Sequence, residues 1–400
     1  MPAEPSPLGQ ADICVVGGAG HAGAPLAIVL ANSGFRVLAY DVDRPMVDRF
    51  SRGEMPYRET GGAEALRSAL DAERLAFTSE GSAIAGIPNV IIAIGAADGE
   101  RESSIAELLL ACVDEIALQL EDGACIVVRT TVPPGTTKAV DHHLRERGRS
   151  LLVAFCPERV AQGNAIDEMG TIAQIVSGMS PSAVRRARDI FKRVAPEIVE
   201  MTPLEAEYSK LICNAHRYIQ FAAANALGML VESAGLNYND LLARTKRGYP
   251  RIEHAPRAGF AGGPCLAKDT RQLVASAPGA FALGEVALTV NEGMPHYIVS
   301  KLLQRGKIDG KHVGILGVAF KAGSDDIRNS LAFRLGELLA DCGARVHYSD
   351  EYVRDASLEP KEALIVESDV IVIAVPHDAY KTVAIPADKI VVDLSGCRRG

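Results

Sequence analysis

The side chains best able to do covalent chemistry in this 400-residue chain lie in "GFAGGPCLAKDT", residues 259–270. Cys265 follows two glycines and a proline there, and Lys268 and Asp269 come directly after it. Three fates are open to such a thiol: a buried structural residue, a metal ligand, or a nucleophile. Nearby positive charge or the free N–H groups of a helix start favour the thiolate and hence nucleophilic attack. The sequence predicts such a setting, a glycine-rich loop feeding a helix near Leu266 with Lys268 and Asp269 in its first turn. No second cysteine or histidine stands at ligand spacing, so no metal is expected. Cys14, Cys112, Cys125 and Cys342 fall in predicted strands or helices and read as inert, and Cys156 reads as a small core residue. A second set, Glu207, Lys210 and Asn214, has three- and four-residue spacing and shares one helix face. Glu207 and Lys210 fit a solvated ion pair. The apolar surroundings "YSKLICNA" also fit a desolvated lysine that stabilises a developing oxyanion.

Four further motifs follow predicted strands. "VVGGAGHAGAP" sets Gly18, Gly20 and Gly23 in G-x-G-x-x-G order around His21 and Ala22. Those glycines permit a tight turn and let a pyrophosphate approach a helix N-terminus. Asp41 ends the next strand, 18 residues past Gly23, where an acid bonds the ribose 2′-hydroxyl and disfavours a 2′-phosphate. NAD is therefore the expected cofactor. "TTVPPGTT" (130–137) is a rigid turn that could place the Thr131 hydroxyl in a ligand cleft or serve only as a loop. "CPERVAQGNA" (156–165) puts Glu158 either in that cleft or on the surface beside Arg159. "AFKAGSDDIRNS" (319–330) brings Lys321 and Arg328 to a helix start, where they suit phosphate binding or a solvated polar loop.

The elements that must hold these residues are legible from hydrophobic pattern. Short β-branched runs at 11–17, 36–41, 89–95, 124–130, 150–156, 173–178 and 197–201 read as strands buried on both faces of a parallel sheet. Helices are predicted between them at 21–33, 103–120 and 182–195, which makes a doubly wound α/β layer. Thr202, Pro203 and Gly235 bracket a helix of roughly 30 residues, about 45 Å long at 1.5 Å per residue. Its small-residue patch "FAAANALG" suits close packing against a partner. More helix is predicted at 237–246 and 282–305. Strands return at 312–317, 345–350, 369–375 and 389–396, with a helix at 329–342. The expected layout is a disordered tail (1–10), a nucleotide-binding α/β domain (11–201), a helical region (202–308) and a smaller Rossmann-like domain (309–400). Hydrophobic residues make up 48% of the chain and charged ones 23%, with a net charge of -8. Such a balance argues against nucleic-acid or anionic-membrane partners. Eight dispersed cysteines without a C-x-x-C pair, and a first segment lacking a signal-peptide pattern, predict a reduced cytoplasmic protein.

Taken in order, "GGAGHAGAP", "TTVPPGTT", "CPERVAQGNA", "AEYSKLICNA", "GFAGGPCLAKD" and "AFKAGSDDIRNS" resemble the UDP-glucose/GDP-mannose dehydrogenase family, over about residues 11 to 396. The resemblance implies a fold of two Rossmann-like domains joined by a long-helix dimerisation region. It also implies oxidation of a nucleotide sugar at C6 to a uronate in two NAD+-dependent steps. Cys265 would add to the intermediate aldehyde as a thiohemiacetal and then carry a thioester. Lys210 and Asn214 match oxyanion-stabilising positions, Asp269 the acid that handles water and protons, and Thr131 and Glu158 the water-ordering positions. Lys268, Lys321, Arg328 and Arg251 match sugar, phosphate or cofactor contacts, and Arg159, Gly262 and Phe320 complete the implied substrate set. Arg251 resembles an arginine that enters the neighbouring subunit's site in a homodimer.

Three departures from the family pattern stand out, the first on the nicotinamide side and the other two on the substrate side. Ala96 and Ala97 stand where the family often has Thr-Pro. Gln162 stands where UDP-glucose enzymes commonly carry a glutamate, and "CPER" resembles the mannosamine-type UDP-N-acetylhexosamine branch. Conversely, "GGPCLAKD" is similar to the UDP-glucose and GDP-mannose branches. UDP-glucose and a UDP-N-acetylhexosamine therefore both remain as substrates, with GDP-mannose an alternative. Two other readings compete: a two-electron β-hydroxyacid dehydrogenase, which needs no nucleophilic cysteine, and a nucleotide-sugar-binding sensor without catalysis.

Overall fold

The computed structural model describes residues 11–95 and 103–398. The predicted tail at 1–10 and the Ala96-Ala97 departure lie outside them. The chain divides into two compact units, residues 1–213 and 214–400.

The first unit runs β1 (Ile13–Val16), α1 (Gly23–Asn32), β2 (Val37–Tyr40), α2 (Arg44–Ser51), α3 (Gly62–Asp71), β3 (Leu75–Thr78), β4 (Asn89–Ile92), α4 (Ser103–Ala117), β5 (Cys125–Val128), α5 (Thr136–Glu146), β6 (Leu152–Phe155), α6 (Ala165–Met169), β7 (Gln174–Gly178), α7 (Pro181–Phe191) and β8 (Ile198–Glu200). Its sheet has the order β3-β2-β1-β4-β5-β6-β7-β8. The first six strands thus follow the dinucleotide-binding order, whose reversal between β1 and β4 opens a crevice at their carboxyl ends. Alternate residues explain the unbroken apolar runs. Ile13 and Val15 of β1 enter one core layer with Ile91 and Val127, while Cys14 and Val16 enter the opposite layer with Val90, Ile126 and Val128. Each such fully buried aliphatic side chain contributes about 1.5–3 kcal/mol relative to exposure.

Two details differ from expectation. β7 pairs antiparallel with β6, Phe155 opposite Ser177, because their connection carries only the five-residue α6 and turns the chain back alongside β6. β3 escaped the sequence reading because, at the sheet edge, it alternates buried and half-buried residues and leaves no continuous buried apolar run.

A continuous helix, α8 (Pro203–Ser233), carries the chain from the first unit into the second. It stops short of Gly235, which adopts φ +75°. The second unit continues with α9 (Tyr238–Thr245), α10 (Leu266–Ser276), α11 (Ala282–Glu292) and α12 (Met294–Arg305). The single helix predicted over 282–305 is two, since Gly293 caps α11 and Pro295 opens α12. β9 (His312–Leu316), α13 (Leu331–Asp341), β10 (Arg345–Ser349), α14 (Lys361–Glu367), β11 (Val370–Ile373) and β12 (Ile390–Asp393) complete the unit. These four strands form a parallel sheet ordered β10-β9-β11-β12, with a switch point between β9 and β11. Here too alternate residues separate, Val313 and Ile315 to one layer and Leu316, Ile371 and Ile373 to the other. No single helix among the described residues is long and apolar enough to cross a membrane; α8 and α9 meet that test only as a pair bent by 112°.

Candidate active site

In the first unit, the turn after β1 packs against its own backbone. A Cβ on Gly23 would lie 2.0 Å from the Gly17 carbonyl oxygen, and one on Gly17, at φ +76°, would lie 2.7 Å from that of Ala93. Gly17, outside the G-x-G-x-x-G string, is therefore as constrained as Gly18 and Gly23. Gly20 has only the Gly17 oxygen nearby, at 3.3 Å. Asp41 follows β2, and its Oδ2 accepts the Ala19 N–H at 2.9 Å. Ala22, at the N-cap of α1, gives that helix no side-chain cap, which leaves the N-terminal amides available to an anion. His21 lies against Tyr57, ring centroids 4.0 Å apart, and its Nδ1 is 3.2 Å from Gln162 Nε2. The loop that contains Glu158 thereby touches the glycine turn. These residues fit a dinucleotide: a backbone cradle that side chains would fill, a helix start, and a carboxylate at the end of the second strand.

Glu158 does not pair with Arg159 as the surface reading had it. The Arg159 guanidinium bonds the Ala173 carbonyl, and only its backbone N–H reaches Glu158, at 2.8 Å. Glu158 instead forms an ion pair with Arg129, whose Nε donates to Oε2 at 2.8 Å. Arg129 is 3% exposed and lies over the Phe191 ring at 5.1 Å. It was missed because it sits inside the strand-like run "ACIVVRT", where nothing signals a buried ion. Thr131 is half-buried at the end of that segment, two residues past Arg129.

Glu207 also departs from the solvated-pair reading. It is 1% exposed. Its carboxylate accepts the Gly135 N–H at 2.5 Å, the Thr137 N–H at 2.7 Å and the Thr137 hydroxyl at 2.6 Å. Thus α8 anchors the "TTVPPGTT" loop at the start of α5. Replacing Glu207 with alanine is expected to destabilise the fold by about 2–4 kcal/mol, because the donors would lose a charged acceptor. A chemical-denaturation midpoint unchanged from wild type would contradict that role. Lys210, three residues on, is buried at 8% exposure, with its neighbouring carboxylate turned to the loop.

In the second unit, Asn214 lies one helical turn beyond Lys210 on α8. Its Nδ2 donates to Asp269 Oδ2 at 2.6 Å, while Lys268 Nζ donates to Oδ1 at 2.8 Å. Asp269 is 1% exposed and sits in the first turn of α10, where its N–H bonds the Cys265 carbonyl at 2.9 Å. Cys265 is the N-cap of that helix and is exposed. The partial positive charge of an 11-residue helix start favours an anionic sulfur there. Other thiols are in the opposite condition. Burial pushes Cys112, Cys125 and Cys156 up to about 12 and Cys397 up to about 11, and Cys14 higher still.

The loop before Cys265 is fastened to the turn after β9. Gly263 donates its N–H to the Asn329 carbonyl at 3.1 Å, and at φ +100° it leaves no room for a Cβ, which would meet the Phe320 ring at 2.6 Å. A Cβ on Gly262 would lie 2.8 Å from the Asn329 oxygen. The structure thus fastens the Gly262-Gly263 segment, just before Cys265, to Phe320 and to Asn329, which sequence reasoning passed over. Asn329 adopts φ +51°, a region asparagine tolerates better than most residues. Lys321 Nζ lies 5.7 Å from the Phe320 ring centroid. Arg328 forks onto Asp326, with contacts of 2.6–3.0 Å. Arg251 is exposed in a short 3-10 turn, over the Tyr249 ring at 5.6 Å.

Three models of one family cover most of the chain: the NAD binding domain at residues 11–195, the central domain at 204–292 and the UDP binding domain at 314–399. The chain belongs to the UDP-glucose/GDP-mannose dehydrogenase family. It is thereby an NAD-dependent oxidoreductase of the nucleotide-sugar dehydrogenase type. A relative from Pyrococcus horikoshii, UDP-N-acetyl-D-mannosamine dehydrogenase, is 29% identical over 380 residues, 92% of this chain and 90% of that one. UDP-glucose 6-dehydrogenase of Pseudomonas aeruginosa is 32% identical over 358 residues, 84% of this chain and 78% of the relative. The solved UDP-glucose dehydrogenase of Pyrobaculum islandicum superposes with a TM-score of 0.87 at 30% identity, covering 98% of this chain and 96% of that one.

Proposed function

We propose that the chain oxidises the C6 alcohol of a UDP-sugar to the uronate in two NAD+-dependent steps, with Cys265 as the covalent nucleophile. The observation that carries this reading is the exposed thiol at the start of α10, with Lys268 and Asp269 in the first turn of that helix and Asn214 of α8 bonded to Asp269. A plain alcohol dehydrogenase has no use for such a thiol.

Bound NAD+ supplies a hydride acceptor in each oxidation. Gly18, Gly20, His21, Ala22, Gly23, Asp41, Thr131 and Arg328 are the residues assigned to hold it. After the first oxidation the Cys265 sulfur adds to the C6 aldehyde, forming a C–S bond and an oxyanion. Lys210 and Asn214 stabilise that oxyanion by charge and hydrogen bonding. The thiohemiacetal carbon again bears a hydrogen that can leave as hydride, which a free aldehyde does not offer so readily. Loss of that hydride leaves a thioester. Water then attacks it, the C–S bond breaks, the uronate departs and the thiolate is restored. Thr131 and Glu158 order the water, and Asp269 handles its protons. Arg159, Arg251, Gly262, Lys268, Phe320 and Lys321 are assigned to the nucleotide sugar. Residues 11–201, 202–308 and 309–400 serve as cofactor, helical dimerisation and nucleotide-sugar segments.

Among sugars, the mannosamine-type UDP-N-acetylhexosamine is favoured. "CPER" and Gln162 agree with it, and several relatives at 27–29% identity carry that activity in their names. UDP-glucose is the second candidate, on the 32% identical relative. Offering UDP-N-acetylmannosamine, UDP-glucose, UDP-N-acetylglucosamine and GDP-mannose separately, with NADH formation as the readout, decides between them. The fastest turnover is expected with the first, and no turnover with any would sink the reading. Replacing Asp41 with alanine is expected to raise the KM for NAD+ about tenfold and narrow the preference over NADP+, through loss of a carboxylate bond to the ribose. An unchanged cofactor preference would contradict Asp41's assignment.

The reaction belongs in the cytoplasm, where NAD+ and UDP-sugars are supplied. Exposed Leu227 and Leu230 on α8 support pairing with a second copy, for which the solution molar mass is the test.

A further inference from the structure

The turn that follows β9 is held from beneath by a buried pair that no sequence motif marked. Asp350 follows β10 in the place Asp41 takes after β2. Like Asp41 it accepts a backbone N–H from the turn after the preceding strand: Val318 at 2.7 Å and Ala319 at 3.1 Å, both to Oδ2. Each also accepts, on Oδ1, the amide two residues on, Asp43 at 3.1 Å and Tyr352 at 2.8 Å; burial and the number of donors separate the two. Asp350 and His377 both have fully buried side chains, and Asp350 Oδ1 is taken by the Tyr352 and Val353 amides. Its carboxylate is therefore committed to the protein and has nothing left for a ribose.

His377 continues the chain of bonds. Gly323, at φ +73°, donates its N–H to His377 Nδ1 at 3.1 Å, and His377 Nε2 lies 3.2 Å from Asp350 Oδ2. Since a backbone N–H can only donate, Nδ1 must be the acceptor, and the proton sits on Nε2, directed at the carboxylate. Tyr352 and Tyr380 hold the ring edge-on, at centroid distances of 4.9 and 5.4 Å. Gly323 is two residues past Lys321 and three past Phe320, whose ring rests on Gly263.

We propose that His377 is a positioning residue for the nucleotide sugar: through the Gly323 amide it sets the turn that presents Phe320 and Lys321. The proposal rests on the functional reading above. It also accounts for the buried acid, which fixes the imidazole tautomer rather than reading a ligand.

Two variants separate the imidazole's two roles. In His377→Asn the amide oxygen takes the place of Nδ1 and can still accept the Gly323 N–H. In His377→Gln the amide reaches toward Asp350 and the bond from the Gly323 N–H to Nδ1 is not replaced. Calorimetric titration with UDP should show His377→Gln weakened about tenfold and His377→Asn close to wild type, the size of one lost hydrogen bond. The KM for the UDP-sugar should follow the same order, with kcat held within about threefold. Equal losses in both variants, or UDP affinity unchanged in His377→Gln, would overturn the proposal while leaving the functional reading intact. Wild-type protein that binds no UDP would remove both. If His377→Gln fails to fold, nitrogen-15 NMR of the wild-type imidazole decides: protonation at Nε2 alone supports the proposal, and a proton on Nδ1 overturns it.

Discussion

Replacing Cys265 with serine is expected to cut uronate formation by more than about a thousandfold, the scale of removing a covalent nucleophile. The argument is chemical. Serine preserves size and a hydrogen-bonding group, but at neutral pH its hydroxyl is far less ionised than a thiol. Addition to the C6 aldehyde then fails, and the first oxidation, being reversible, stalls with aldehyde and NADH near equilibrium. Cofactor binding should be untouched, because Cys265 is not among the residues assigned to hold NAD+. Turnover at the wild-type rate would contradict the covalent mechanism and favour a two-electron dehydrogenase, in which a helix lysine and asparagine suffice.

Replacing Lys210 with methionine is expected to lower kcat by about 10²–10³, the effect of losing one preorganised group at a developing oxyanion. Stability should not fall with it. Lys210 is buried, and the adjacent Glu207 carboxylate is spent on the Gly135 and Thr137 amides. Exchanging a desolvated ammonium for an apolar chain of similar length is neutral or stabilising in such a setting. A lysine kept for structure would give the reverse, a lower melting temperature with kcat preserved. Measuring both on one sample separates the two.

Much of this architecture was legible in the sequence, for a physical reason. Strands buried on both faces leave continuous apolar runs, so β1, β2, β4 and β5 stood out, as did the long helix between Pro203 and Gly235. The glycine turn and the Cys265 loop were legible because close backbone approach demands glycine. What escaped was whatever depends on partners distant in sequence. Arg129 looked like the tail of a strand until Glu158 came beside it. Glu207 matched the spacing of a surface pair, yet its partners lie some seventy residues earlier. His377 and Asp350 belong to different strand ends, and only the order β10-β9-β11 brings them together. The direction of β7 was hidden as well, since an apolar run carries no sign of which way its strand points.

The central claim is that a single site takes four electrons from one alcohol through Cys265. It is tested most directly by counting NADH formed per UDP-sugar consumed, with NAD+ in excess and the reaction run to completion. Two NADH for each substrate, with the uronate as sole product, is the result the mechanism predicts. One NADH for each substrate, with aldehyde or ketone accumulating, would contradict it.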